Sequence, residues 1–115
     1  MKKTKSFEIR ELSEDHFFNW KILWNQYLKF YQTSVEDIVY ETTFKRLISS
    51  RQPNQNALVA AQDNDLIGLV HYIYHPHNWK IEDVCYLQDL FVLPSMRGTG
   101  VGRALIESVY SASDR

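Results

Sequence analysis

The chain has 115 residues, which bounds it to one small domain, and its 44% hydrophobic content allows that domain a modest core. Thirteen basic residues against fourteen acidic ones leave no positive surplus, so neither nucleic acid nor an anionic membrane surface is an expected partner. A single cysteine, Cys85, excludes an internal disulfide, and no apolar run is long enough to span a bilayer.

The basic start Met1-Lys2-Lys3-Thr4-Lys5-Ser6 leads into no apolar signal core, so a cytoplasmic protein is expected. Phe7-Glu8-Ile9-Arg10 alternates apolar and charged residues and predicts a short first strand. Ser13 reads as the N-cap, with Glu14 and Asp15 in the first turn, of a helix running to about Tyr31. Phe17, Trp20, Trp24, Tyr27 and Tyr31 fall on one face of it. Such a stripe is usually core, but rings at the Tyr27–Tyr31 end could wall an acceptor pocket and hold a cationic amine. Ser34 is expected to cap a second helix, with Asp37 in its first turn and Tyr40, Phe44, Leu47 and Ile48 on its buried face. A polar loop from Ser49 to Asn56 follows.

Ala57 to Ala61 and Leu66 to His75 read as two strands joined by the turn Asp63-Asn64-Asp65, an antiparallel hairpin. Gly68 within the second strand fits a bend or a close backbone approach. His71, His75 and His77 match no ligand spacing, and no metal site is expected. Cys85 to Leu93 is the next strand, and Cys85 in it reads as a small buried hydrophobe rather than a nucleophile. By strict alternation Leu87, Asp89 and Phe91 share one face, and Gln88, Leu90 and Val92 the other. Asp89 is a carboxylate in an otherwise apolar run and needs a partner. Two roles are open to it: a structural hydrogen bond to nearby backbone or to Tyr72, or contact with substrate.

After Pro94 come Gly98, Gly100 and Gly102, then the helix formers Arg103-Ala104-Leu105-Ile106-Glu107. A glycine turn feeding a helix aims free N–H groups and the positive end of the helix dipole at one spot, which suits a phosphate or pyrophosphate. The absence of Gly-Lys-Ser/Thr argues against a nucleotide triphosphate loop. The Gly-x-Gly-x-Gly spacing and the upstream hairpin argue against a Rossmann dinucleotide site.

The run Leu90-Phe91-Val92-Leu93-Pro94 followed by Arg97-x-x-Gly100-x-Gly102 resembles the acetyl-CoA signature of the GNAT superfamily of N-acetyltransferases. Trp79, Tyr86-Leu87-Gln88-Asp89 and the aromatic N-terminal helix are similar to the polyamine (spermidine/spermine) acetyltransferase branch and its bacterial relatives. The resemblance implies an α/β (α+β) fold of order β-α-α-β-β-β-α with a mixed, mostly antiparallel sheet. It implies that residues 1–115 form a single N-acetyltransferase domain lacking the family's C-terminal strand, helix and hairpin, where the usual general-acid tyrosine resides. It also implies a bulge in the Asp89 strand that brings Gln88 and Asp89 toward a cleft.

For chemistry, the resemblance implies acetyl-CoA as co-substrate and direct transfer to a primary amine of a small molecule, polyamine-like or amino-acid-like. Leu90, Phe91 and Val92 would bind the pantetheine arm through backbone groups left unpaired. Arg97, Gly98, Thr99, Gly100, Val101, Gly102 and Arg103 would cradle the pyrophosphate. Tyr27, Tyr31, Tyr72, Trp79 and Gln88 would line the acceptor site, and Asp89 would orient the amine or relay its proton. The polyamine branch carries two acidic side chains where this chain has Gln88 and Asp89. A homo-oligomer, such as a dimer, is expected to cover the strand edge. The alternative reading is a catalytically incomplete acetyl-CoA-binding or assembly module, with a protein N-acetyltransferase ranked behind both.

Overall fold

Leu66 to Tyr72 is an unbroken buried run, and the rest of the chain packs around the strand that carries it. The computed structural model describes residues 6–113. It contains β1 (Glu8–Glu11), α1 (Phe17–Phe30), α2 (Asp37–Ile48), β2 (Gln55–Gln62), β3 (Asp65–His75), β4 (Val84–Val92) and α3 (Val101–Ser113), with short 3-10 turns at Glu14–His16 and Pro94–Met96. The element order is the expected one. The four strands lie in chain order, β1-β2-β3-β4. Every pairing among the described residues is antiparallel, so the sheet is not mixed there.

The sheet is buried on both faces. On one side α1 and α2 supply Trp20, Leu23, Trp24, Leu28, Tyr40 and Phe44, which meet Ala57, Val59, Leu69 and Phe91 of the strands. On the other side Val101, Leu105 and Val109, spaced one helical turn apart on α3, meet Leu58, Ala60, Ile67, Val70 and Tyr72. Gly68 permits the close seating of α3. A Cβ there would come within 3.0 Å of Val101 Cγ1 and 3.2 Å of both Leu105 Cδ1 and the Phe91 carbonyl oxygen.

Two helix starts differ from expectation. The Ser13 hydroxyl donates to Asp15 Oδ1 at 2.6 Å, and its backbone N–H donates to His16 Nδ1 at 3.0 Å. These bonds close a 3-10 turn, and the α-helix proper begins only at Phe17. Ser34 does not cap α2. Gln32 takes a left-handed φ of 57°, and the chain then runs without regular structure to an extended Glu36. The Glu36 carbonyl accepts the first helical N–H groups, from Val39 at 2.9 Å and Tyr40 at 3.4 Å, so Glu36 occupies the N-cap position.

The sheet departs from strict alternation at two points. Ala60 pairs with Gly68 and Ala61 with Leu66, leaving Ile67 as an extra residue. Tyr72 pairs with Leu87 and His71 with Asp89, leaving Gln88 as an extra residue in β4. The second bulge reverses the phase of β4. Leu87 packs with the α3 cluster, whereas Phe91 packs with the α1–α2 cluster and Asp89 pairs with His71 among the α1 indoles. The expected common face for Leu87, Asp89 and Phe91 is therefore wrong, because alternation was counted through an inserted residue.

Candidate active site

Asp89 occupies the part-buried end of a three-residue chain of hydrogen bonds that runs from α1 through β3 to β4. The indole N–H of Trp20 donates to Nε2 of His71 at 3.0 Å, and Nδ1 of His71 lies 2.8 Å from Oδ2 of Asp89. His71 is 3% exposed, and its ring lies beside those of Trp20 and Trp24, with centroids 6.0 and 5.3 Å away. The Tyr27 ring stands edge-on to Phe91 with centroids 6.2 Å apart, two residues beyond Asp89 on the strand.

Burial alone raises the Asp89 pKa, but the hydrogen bond to His71, with donors from Tyr27 and Trp24, outweighs it and leaves the carboxyl below its ordinary value. The buried Trp24 N–H stops short of formed hydrogen-bond geometry and acts on the carboxylate from a greater distance. The Tyr27 phenol is pushed far up, first by burial and then by the neighbouring Asp89 charge and hydrogen bond, so it keeps its proton. Burial also raises the thiol of Cys85, which packs on the opposite, α3 face.

Beyond Asp89, β4 forms the outer edge of the described sheet. The Leu93 N–H donates to the Ile67 carbonyl at 2.9 Å. Hydrogen-bonding groups alternate sides along an antiparallel strand, so Phe91 points its backbone at β3 while Leu90 and Val92 point theirs outward. Arg97 Nε confirms the direction of the Val92 carbonyl by reaching it at 3.3 Å. The expectation that Leu90, Phe91 and Val92 all leave backbone groups free is thus corrected for Phe91, which contributes its ring. That ring, with Tyr27, Phe30, Tyr31, Leu90, Val92 and Arg97, lines a cleft of about 210 Å³. The Arg97 guanidinium lies over Phe30 and Phe91, 5.9 and 6.0 Å from the ring centroids.

Arg97, which lines the cleft, leads directly into the turn before α3. Gly98 and Gly100 have φ of 82° and 93°, in the region that L side chains rarely adopt, and the space where a Cβ would stand is open at both. Thr99 Oγ1 donates to the Met96 carbonyl and ties the turn together. The helical ladder starts with the Ala104 N–H bonding the Gly100 carbonyl at 3.0 Å, so the amides of Val101, Gly102 and Arg103 precede it. Gly102 differs from its neighbours, since it lies inside α3 and a Cβ there would make only ordinary contact with Val92 Cγ2 at 3.5 Å. The Val101 side chain is core, which leaves its backbone alone for a ligand. Arg103 is largely exposed and 3.7 Å from Glu107.

Two of the proposed acceptor-site residues, Tyr72 and Trp79, are not gathered around Asp89. Tyr72 is buried on the α3 face, across the sheet, and Asp89 takes His71 as its ladder partner. Trp79 is 90% exposed in the loop before β4 and stacks edge-on with His77. The five residue steps from Val84 to Asp89 alone span about 16 Å of strand. Tyr31 is 62% exposed, but its ring lies 5.0 Å from that of Tyr27 at the rim of the cleft. Gln88 is the exposed bulge residue. Sequence reasoning missed Phe30, and it missed His71 as the partner of Asp89. The three candidate histidines do not converge: His75 bonds the Pro76 carbonyl and His77 accepts from the Trp79 N–H. No cluster able to hold a metal occurs among the described residues.

An antiparallel sheet with an outward-facing edge, a carboxylate at a bulge and a glycine turn opening a helix define an acyltransferase-like scaffold. The acetyltransferase (GNAT) family profile matches residues 10–113, and the chain belongs to that family. The D-amino-acid N-acetyltransferase HPA3 of Saccharomyces cerevisiae is 41% identical over 96 residues, covering 83% of this chain and 60% of that protein. The chain therefore spans less than two thirds of that relative's length. Aminoglycoside N-acetyltransferase AAC(6')-Iy, solved with CoA, superposes with a TM-score of 0.82 at 21% identity, over 99% of this chain and 73% of its own. A ribosomal-protein-alanine N-acetyltransferase from Brucella melitensis superposes at 0.78 with 20% identity, over 95% of this chain and 72% of its own. At those identities the structures speak for the fold alone.

Proposed function

We propose that this chain carries the acetyl-CoA face and the amine-recognising carboxylate of an N-acetyltransferase for a small primary amine. The observation that carries the reading is the contact of Asp89 with His71 at the bulge from which the outward-facing edge of β4 begins, a contact that favours the ionised carboxylate. When bound, acetyl-CoA supplies the thioester whose acetyl group is transferred. The site fits that molecule on two counts. The space where a Cβ would stand at Gly98 and Gly100 is open, with the unladdered α3 amides next in the chain, and the apolar cleft along Leu90 and Val92 is lined by Arg97 just before the turn. Residues 97–103 would hold the pyrophosphate chiefly by backbone N–H, with Arg97 swinging from its aromatic perch to add charge. The outward N–H groups of Leu90 and Val92 would serve an amide-bearing arm or a developing oxyanion, and the Leu90 carbonyl would accept from the arm, joined by that of Val92 once Arg97 swings away.

An aliphatic amine has a pKa near about 10.4 and arrives protonated. Asp89 would draw in and orient the ammonium, with Tyr27, Tyr31 and Gln88 around it, and pass its proton to water. Tyr27 keeps its own proton and serves as a donor, not a base. Cys85 has a raised pKa and lies across the sheet, which supports direct attack by the amine rather than an acyl-enzyme. One carboxylate suits an acceptor of single charge. The D-amino acids in the relative's name therefore head the acceptor panel, ahead of polyamines.

The open edge of β4, with Tyr86 and Leu90 52% and 39% exposed, favours a second reading. In it the chain binds acetyl-CoA but needs a further polypeptide segment or a second copy along β4 for turnover. Calorimetric titration with acetyl-CoA, with NAD as control, tests the cofactor assignment. Transfer to D-amino acids, L-amino acids and spermidine then separates the two readings. Binding with no turnover, regained when a strand-donating segment is added, selects the second.

A further inference from the structure

We propose that His71 is a positioning residue whose tautomer is set by Trp20, so that its Nδ1–H fixes Asp89 as the working end of the pair. An indole N–H can only donate. Its 3.0 Å contact therefore makes Nε2 of His71 the acceptor, and the single proton of the neutral ring resides on Nδ1, 2.8 Å from Asp89 Oδ2. The arrangement is a histidine–carboxylate pair turned around. The imidazole is 3% exposed, with both nitrogens occupied, so it has no free lone pair for a substrate proton. The carboxylate is the member nearer solvent, its side chain 15% exposed against 4% for that of His71. Oδ2 of Asp89 is committed to the pair, and an amine would share the remaining acceptor capacity of the carboxylate with the Tyr27 hydroxyl.

The bulge makes the geometry possible. Were Gln88 paired in the ladder, Asp89 would fall on the face of Leu87, away from the α1 indoles; because Gln88 is bulged out, Asp89 takes the ladder position opposite His71. The titratable groups facing Asp89 are His71 from β3 and Tyr27 from α1, and Trp24 of α1 adds an uncharged donor. This inference rests on the reading of Asp89 given above.

The test is made on this chain with labelled histidine and aspartate. Ring 15N shifts of His71 are expected to show a protonated Nδ1 and an unprotonated Nε2, and Trp20→Phe to mix the tautomers while keeping the core aromatic. The carboxyl 13C titration of Asp89 is expected to move up in pH in His71→Leu and to return toward the native midpoint in His71→Asn, whose amide replaces the Nδ1 donor. In a turnover-competent form, His71→Leu should lower kcat roughly tenfold, the loss of one charge-assisted hydrogen bond, with the acetyl-CoA KM unchanged. His71→Asn should regain most of that loss. A protonated Nε2, or an Asp89 titration indifferent to His71→Leu and Trp20→Phe alike, overturns the proposal whatever the activity. Native tautomer and titration together with full activity in Asp89→Asn overturn the functional reading of Asp89, and the positioning role with it.

Discussion

Leu87 and Asp89 stand two residues apart on one strand and face opposite sides of the sheet. Leu87 packs against the α3 cluster, and Asp89 meets His71 beside Trp20 and Trp24 of α1. Gln88 lies between them without a ladder partner, so Leu87 and Asp89 pair with the consecutive residues Tyr72 and His71 and take the opposite faces that neighbouring residues would.

Deleting Gln88 is therefore expected to be tolerated. The deletion makes Leu87 and Asp89 consecutive residues opposite Tyr72 and His71, so ordinary alternation keeps Leu87 on the α3 face and Asp89 on the α1 face. Gln88→Ala keeps the bulge and should stay within about 0.5 kcal/mol of the parent. Thermal melts and the carboxyl 13C titration of Asp89 in the two variants check this. A collapse of stability on deletion, or an Asp89 titration that moves up, would mean that the unpaired residue itself, and not the register on either side of it, holds Asp89 against His71.

The bulge also marks where sequence reading stopped working. The strands, the Asp63–Asp65 hairpin turn and the element order follow from alternation and turn chemistry, and the structure has them. A bulge was expected in β4 only through family resemblance, because one extra residue leaves no compositional trace. Its position needs the β3–β4 register, which a loop of eight residues between them does not fix. That is why Asp89 was assigned backbone or Tyr72 as a structural partner, while His71, its ladder neighbour, was weighed only as a metal ligand. The glycine turn was legible in kind, but not that Gly102 is an ordinary helical residue. Ser34 failed as a cap because a left-handed Gln32 and an extended Glu36 delay the helix.

The glycines make a contrasting pair of predictions. Gly100→Val places a β-branched residue at a φ of 93° and opposes the backbone by about 1–3 kcal/mol. It also fills the open space at Gly100, so acetyl-CoA affinity should be lost in calorimetry while circular dichroism remains native. Gly102→Ala sits at a helical position with ordinary contacts. It should keep binding and raise stability by about 0.5–1 kcal/mol. Equal loss of binding in both would remove the phosphate-turn assignment.

Gly68→Ala tests how α3 is held. Its Cβ would meet Val101 Cγ1 at 3.0 Å and the Phe91 carbonyl oxygen, which is backbone and cannot rotate away, at 3.2 Å. Overpacking of this kind costs about 1–3 kcal/mol. The expected result is a lower denaturant midpoint with an unchanged slope. An unchanged midpoint would mean that α3 shifts outward at no cost.

Asp89→Asn carries a pH signature as well as a loss of activity. Burial raises the Asp89 carboxyl, but His71, Tyr27 and Trp24 together bring its folded-state pKa below the ordinary value. The unfolded chain therefore binds the proton more readily than the folded one. The ionised form contributes stability that is fully present above the unfolded pKa and is lost as pH falls through the folded pKa. Asparagine keeps an acceptor for the His71 N–H but not the charge, so the variant should be about 1–2 kcal/mol less stable at neutral pH. The gap should close as pH drops below about 4. Urea melts of both proteins across that range measure it. A gap that widens on acidification would mean that Asp89 is protonated in the folded protein and that His71 does not hold it ionised.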